Sequence, residues 1–129
     1  MTREEFEEIV GQVVDDLPEE FAKALNNVGI VVEDWPTAED LNNVFAHRGM
    51  TLFGLYRGIP LPQRPNNYSA LPDKIVIFAG TILQFFPEPD EAKKQIRSTV
   101  LHEIGHHFGM SEDQIRRAEF LRRKNTLKK

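Results

Sequence analysis

The chain has 129 residues, no cysteine and a formal net charge of −4, from 16 basic and 20 acidic residues. This length fits a single domain over residues 1–129, and the lack of cysteine excludes disulfides and thiolate metal sites. The acidic N-terminus has no apolar signal region, and no stretch approaches the roughly 20 apolar residues of a membrane helix. We therefore expect a cytoplasmic globular protein, in which any metal is held by histidine and carboxylate side chains.

The two ends of the chain carry opposite charge. Eight acidic residues and one arginine lie in the first twenty positions, whereas residues 116–129 hold seven basic residues and one glutamate. A solvated helix face followed by a frayed basic tail, residues 122–129, explains the basic end without a partner. A basic tail can also attract nucleic acid or an acidic protein, and this alternative stays open.

The N-terminal third is predicted to begin with helices. Thr2 and Glu5 form a capping box before apolar residues at helical spacing, which predicts a helix over residues 3–16. A proline then ends this helix and opens a second, shorter one. The β-branched run 29–33 predicts a strand, and a short helix reaching Phe45 is predicted after it.

Two further strands are predicted in the middle of the chain. Residues 51–57 form the first, and three prolines within 58–67 predict a loop because proline cannot join a sheet interior. The apolar run 74–79 predicts a strand that is buried on both faces. Gly80 ends it, and a short helix over 81–86 is predicted to follow.

The C-terminal third is predicted to be helical. Asp90 is the predicted cap of a long helix with apolar residues at steps of four: Ala92, Ile96, Val100, Ile104 and Phe108. Ser111 and Gln114 form a second capping box, which predicts a last helix over about 112–124. The whole order, α-α-β-α-β-β-α-α, indicates an α+β fold with helices packed on a small sheet.

The long helix carries the motif H-E-x-x-H. His102 and His106 lie four residues apart, so both imidazoles face one side of the helix, roughly opposite the apolar stripe. A catalytic zinc site uses three protein ligands and a water, so the pattern indicates Zn2+ bound by these two histidines. Glu103, next to the first ligand, is the candidate general base that activates the zinc-bound water.

The third ligand is predicted just beyond the end of this helix. Gly109 follows the last periodic residue, where a left-handed conformation ends a helix and lets the chain turn back. Glu112 then lies at the start of the next helix and is the preferred ligand. Asp113 and Glu119 are the alternatives, because a carboxylate in a first helical turn is also explained by the helix dipole. His107 points about 100° away from His106 and is expected to pack or to bond outside the ligand set.

Three blocks of the chain resemble the small bacterial zincin-like metallopeptidase family, of the HExxHxxGxxE/D type: residues 51–61, 71–78 and 101–109. The resemblance extends from about Phe6 to Leu121. It implies a minimal zincin-like fold, with a small mixed sheet, an active-site helix and flanking helices. It also implies zinc on His102, on His106 and on an acidic residue at the position of Glu112.

The motif and the resemblance together predict an enzyme, a zinc metallopeptidase that acts on peptide or protein substrates. One alternative is a metal-dependent hydrolase acting on RNA, which the basic C-terminus favours. Glu103, and Glu112 in place of a histidine, favour peptide chemistry instead. The other alternative is a non-catalytic, metal-bearing interaction module.

Overall fold

A computed structural model describes residues 1–26, 28–43, 53–57 and 73–119, with the backbone alone for 41–43. In chain order its elements are α1 (Arg3–Asp15), α2 (Glu19–Ala24), β1 (Val28–Glu33), α3 (Ala38–Asn43), β2 (Gly54–Arg57), β3 (Asp73–Phe78), α4 (Ala79–Phe85), α5 (Pro89–His107) and α6 (Glu112–Ala118). The architecture is the predicted α+β fold, with a small mixed sheet and helices packed on it.

The described sheet has three strands in the order β1-β3-β2. β1 runs parallel to β3, and β2 runs antiparallel to it, so that Tyr56 of β2 lies opposite Ile75 of β3. The central strand β3 is buried on both faces, as predicted. Ile75 and Ile77 join the main core, whereas Val76 and Phe78 pack with Leu55 in a second cluster.

The main core lies between the sheet and helices α1 and α5. The capping box of Thr2 and Glu5 starts α1, as predicted, with hydrogen bonds of 2.8 and 3.1 Å. α1, α2 and the link between them contribute five buried apolar residues from the first 24 positions: Phe6, Val10, Val13, Leu17 and Phe21. α5 contributes four members of the predicted stripe: Ala92, Ile96, Val100 and Ile104.

A buried arginine joins the ends of two helices to α5. Arg97 is 8% exposed, and its guanidinium donates to the carbonyl oxygens of Asp16, Ala118 and Glu119 at 2.9 to 3.3 Å. These carbonyls lie at the C-terminal ends of α1 and α6, where the helix dipole favours a cation. The buried charge is thereby stabilised by polar groups that the helices themselves leave unbonded.

Three details of the sequence prediction are wrong. Asp90 does not cap α5, because Pro89 takes the first helical position, where its fixed φ fits, and Glu88 occupies the cap position. Phe108 lies one residue beyond α5 and is 38% exposed, so it does not extend the apolar stripe. α4 begins at Ala79 rather than at residue 81.

Several predictions fall outside the described residues. These are the loop 58–67, the start of the strand 51–57, the end of the helix that reaches Phe45, and everything beyond residue 119. Within the described ranges, no helix is both long enough and apolar enough to cross a membrane.

Candidate functional site

The C-terminal end of α5 turns sharply at Gly109. This residue has φ +72°, and the Met110 and Gly109 amides donate to the carbonyl oxygens of Gly105 and His106 at 2.8 and 3.3 Å. Both bonds together form a Schellman motif, which ends a helix with a residue in the left-handed region. The predicted helix stop is therefore confirmed, and it sends the chain directly into α6.

α6 packs closely against α5 because α5 carries a glycine at the contact. A Cβ atom placed on Gly105 would lie 2.4 Å from Cδ1 and 2.6 Å from Cγ1 of Ile115, which is fully buried on α6. The predicted capping box of Ser111 and Gln114 starts α6, with bonds of 2.8 and 3.1 Å. Glu112, the first residue of α6, is thus held on a rigid helix start beside α5.

Three side chains of the motif lie close together across this junction. The Nε2 atom of His106 lies 3.4 Å from Oε2 of Glu112, and Nε2 of His102 lies 3.8 Å from Oε1 of the same carboxylate. The Glu112 side chain is 62% exposed, and those of His102 and His106 are 27% and 33% exposed. The three groups thus converge at a place that solvent and a ligand can reach.

The ring of His102 is oriented by the preceding turn of α5. Its Nδ1 atom lies 2.8 Å from the carbonyl oxygen of Ser98. Because a carbonyl only accepts, Nδ1 donates this hydrogen bond, and Nε2 is the nitrogen that faces Glu112. On the Nδ1 side, the Ser98 hydroxyl donates to Oε1 of Glu119 at 3.3 Å, and this oxygen lies 3.8 Å from His102 Nδ1.

The three carboxylates considered as third ligand therefore lie in different places. Glu112 is near the Nε2 atoms of both histidines. Glu119 is near the opposite nitrogen of His102, and Asp113 pairs with Arg116 at 3.2 Å on the exposed surface. This placement favours Glu112 as the ligand and gives Glu119 a position behind His102.

Glu103 is fully buried between α5 and β2. Its exposed fraction is 0%, and neither carboxyl oxygen has a hydrogen-bond partner among the described residues. Burial raises the pKa of Glu103 to about 8, which the nearby backbone amide of Tyr56 only partly opposes. In the β2–β3 ladder the Phe78 amide donates to the Phe53 carbonyl, so the alternation of antiparallel pairs directs the Tyr56 amide away from β3.

His107 belongs to a different group of side chains, as predicted from its direction on the helix. It is buried, and its ring stacks on Tyr56 with centroids 3.9 Å apart. The Tyr56 hydroxyl donates to Oδ2 of Asp73 at 2.9 Å, and the same oxygen lies 3.8 Å from His107 Nε2. This group fixes the last turn of α5 against β2 and β3.

Sequence reasoning missed the residues that contact His102, Glu103 and His107 in the fold. Ser98 lies four residues before His102, and this helical spacing is a signal that was available. Asp73 and the Tyr56 amide approach α5 only through the folded sheet, and nothing in the sequence pattern indicates their contacts.

The residue types and directions at the junction fit a zinc ion. Imidazole nitrogens and a carboxylate oxygen are ligands that zinc accepts, and here they face one another across the junction. Ligand atoms about 2.0–2.1 Å from tetrahedral zinc lie roughly 3.3 Å apart, close to the 3.4 Å between His106 and Glu112. The distance of 3.8 Å between His102 Nε2 and Glu112 Oε1 is longer than this. Among the described residues, no three histidine or carboxylate side chains are already close enough together to form a complete metal site. Metal binding would therefore need a closure of about 0.5 Å on the His102 side.

A comparison with protein families agrees with the α+β fold described above. A family model for zincin-like metallopeptidases matches residues 25–121, a range that includes all three described strands, α5 and α6. A search of curated proteins finds no match to the chain. Because the family model covers most of the sequence, the chain belongs to the zincin-like metallopeptidase family.

Proposed function

We propose that this chain hydrolyses peptide bonds, with zinc held by His102, His106 and Glu112. The observation that carries the proposal is the convergence of two imidazole Nε2 atoms on one carboxylate, at 3.8 and 3.4 Å. The hydrogen bond from His102 Nδ1 to the Ser98 carbonyl supports it, because outer partners of this kind orient metal-binding histidines. Membership of a metallopeptidase family favours a peptide substrate over RNA.

Zinc bound here would polarise the scissile carbonyl and lower the pKa of a water molecule in the remaining position. Glu103 would take a proton from the attacking water and pass it to the leaving nitrogen. Its burial supports this role, since a carboxylate without hydrogen-bond partners is a stronger base than an exposed one. A cation nearby would lower the raised pKa of Glu103 and so favour the ionised form that accepts a proton.

The proposal is tested by replacing the general base without changing the ligands. Glu103→Gln should keep about one zinc per chain, measured by elemental analysis. Its turnover of a quenched fluorescent peptide library should be roughly 10²- to 10⁴-fold slower than that of the native chain. Glu91→Gln, an exposed glutamate on the same helix, is the matched control and should keep both. Turnover by Glu103→Gln equal to that of the native chain would remove Glu103 from the mechanism.

The ligand set is tested by zinc affinity. Glu112→Ala should weaken zinc binding by more than the roughly 10- to 100-fold typical of outer partners, whereas Asp113→Ala should not. Unchanged affinity in Glu112→Ala would contradict the assignment. If the native chain holds zinc and cleaves RNA oligonucleotides but no peptide, the substrate class is wrong. If it holds zinc and cleaves neither, the chain is a binding module.

A further inference from the structure

A groove lies between α1 and β1, in a region that the proposed zinc site does not use. Its volume is about 610 Å³, within the roughly 300–1,000 Å³ range of ligand-binding clefts. Val10 and Val14 of α1 and Ile30 of β1 supply apolar surface, and Glu7 and Asp15 are its charged lining residues. The groove is therefore apolar inside and has two carboxylates at its rim, of which Glu7 lies 4.0 Å from the Arg3 guanidinium.

The strand that lines this groove is at one end of the described sheet, and part of its main chain faces away from β3. The Val32 carbonyl accepts from Arg3 at 3.0 Å, and the Val28 amide donates to the Leu25 carbonyl at 3.1 Å. The Val28 amide and the Val32 carbonyl thus point away from β3. Because main-chain groups alternate in direction along a strand, the amide and carbonyl of Ile30 also point away from β3. No described residue makes a hydrogen bond to the Ile30 main chain on that side.

Arg3 and Leu25 bond the outer edge of β1 at Val32 and Val28, and the stretch between them, at Ile30, is open among the described residues. Proteins commonly block such edges with lysine, proline or a bulge. The segment Val28–Glu33 contains no lysine and no proline, and it pairs with β3 in an unbroken register. Val31 is 36% exposed on the strand. An edge of this kind is suited to the addition of another extended segment.

We infer that the groove binds an extended segment of a partner protein in which apolar and basic residues alternate. The segment would pair with β1 through the Ile30 main chain, place apolar side chains on Val10 and Val14, and bring basic side chains to Glu7 and Asp15. Pairing of β1 with β1 of a second copy is disfavoured, because it would bring two acidic rims together. Charge thus selects a basic partner segment for this edge.

A glycine on α1 keeps the groove open. Gly11 lines it, and a Cβ atom placed there would have no described atom within 4 Å apart from those of its own helix backbone and chain neighbours. Glycine in a helix interior is unfavourable by roughly 0.5–1 kcal/mol relative to alanine, and no close contact at this position requires it. A larger side chain at Gly11 would enter the groove without disturbing the core, so this position provides a variant that blocks binding.

The test uses a fluorescently labelled ten-residue peptide in which valine and lysine alternate. The full chain should bind it in an anisotropy titration at least about tenfold more tightly than a peptide of alternating valine and glutamate. Gly11→Leu should lower the affinity by about tenfold or more, and a native circular dichroism spectrum confirms folding. Glu7→Gln and Asp15→Asn should each weaken binding roughly two- to fivefold, whereas Glu8→Gln, exposed on α1 outside the groove, should not.

Main-chain pairing is tested independently by amide hydrogen exchange. The Ile30 amide should become protected when the valine–lysine peptide is added, and the same peptide with an N-methylated backbone should not bind. The inference is overturned if neither peptide binds, if both bind equally, or if binding leaves the exchange of Ile30 unchanged.

Two other occupants would also overturn it. If the combined variant Arg122→Gln, Arg123→Gln and Lys124→Gln binds the valine–lysine peptide more tightly, the chain's own basic segment competes for the groove. If light scattering shows a dimer that the peptide dissociates, a second copy occupies it. The test measures binding alone, so its outcome is independent of zinc and of turnover.

Discussion

Two helical glycines of this protein lie in opposite surroundings. A Cβ atom on Gly105, at the junction of α5 and α6, would come within 2.4 Å of Ile115. A Cβ atom on Gly11, in the middle of α1, would meet no described residue beyond its own helix backbone and chain neighbours within 4 Å. At Gly105 the missing side chain lets α5 and α6 pack closely, and at Gly11 it leaves open space in the groove between α1 and β1.

This difference separates a closely packed region from an open one. The α5–α6 junction positions Glu112 beside His102 and His106, and Glu103 is buried on the other side of α5 against β2, so changes in packing around α5 affect the proposed zinc site. The groove between α1 and β1 tolerates added atoms and is expected to respond in binding rather than in stability. The two regions are therefore compared by matched substitutions. Each change at α5 has a counterpart on α1.

The largest effect is expected in the packed region, from the pH dependence of stability in the metal-free protein. Burial raises the pKa of Glu103 to about 8, above the ordinary 4.5. The folded chain then keeps a proton that the unfolded chain releases, so stability is full below about pH 4.5 and is lost as pH rises towards 8. The slope reaches at most about 1.4 kcal/mol per pH unit.

Urea unfolding in the presence of a chelator, at a series of pH values, measures this slope. Glu103→Gln should flatten the curve between pH 4.5 and 8. Glu8→Gln, from the exposed surface of α1, should keep the slope of the native chain. A native chain whose stability is flat over this range would show that the carboxyl group is not enclosed as the structure has it.

A smaller effect is expected from adding one methyl group at the junction. Gly105→Ala should destabilise the chain by about 1–2 kcal/mol, because the cost of overpacking against Ile115 exceeds the gain in helix propensity. It should also weaken zinc binding, since displacement of α6 moves Glu112. The double variant Gly105→Ala, Ile115→Val should recover part of the lost stability, because valine lacks the Cδ1 atom that lies nearest. Additive losses in the double variant would argue against this contact.

The smallest effect, of opposite sign, is expected in the open region. Gly11→Ala should raise the free energy of unfolding by roughly 0.5–1 kcal/mol, because alanine favours the helix and the new Cβ clashes with none of the described residues. Urea unfolding measures it, and zinc affinity should not change. A loss of stability in Gly11→Ala would remove the contrast between the two glycines.

Local features of the site were predictable because neighbours in sequence determine them. The capping box at Ser111 and the left-handed turn at Gly109 depend on residues within one helical turn. They indicated how Glu112 is brought back towards α5 before any tertiary contact was known. The same reasoning failed at Asp90, where a preceding proline took the first helical position.

Contacts between distant elements could not be predicted in this way. The enclosure of Glu103 depends on β2, and the position of Glu119 behind His102 depends on how α6 crosses α5. The unbroken apolar run 74–79 indicated that β3 is buried, but it does not determine which strands lie on either side of β3. These properties arise from packing across the chain, which a pattern in one segment does not encode.

The hydrogen bonds of Arg97 determine where a stable fragment of this protein can begin. The family match begins at residue 25, which leaves α1 and α2 outside it. Yet Arg97, within the matched range, binds the Asp16 carbonyl at the end of α1, and Phe6 and Phe21 are buried in the same core as α5. The range that the family model matches is therefore smaller than the packed core, and a fragment cut at residue 25 would leave a buried guanidinium without one of its acceptors.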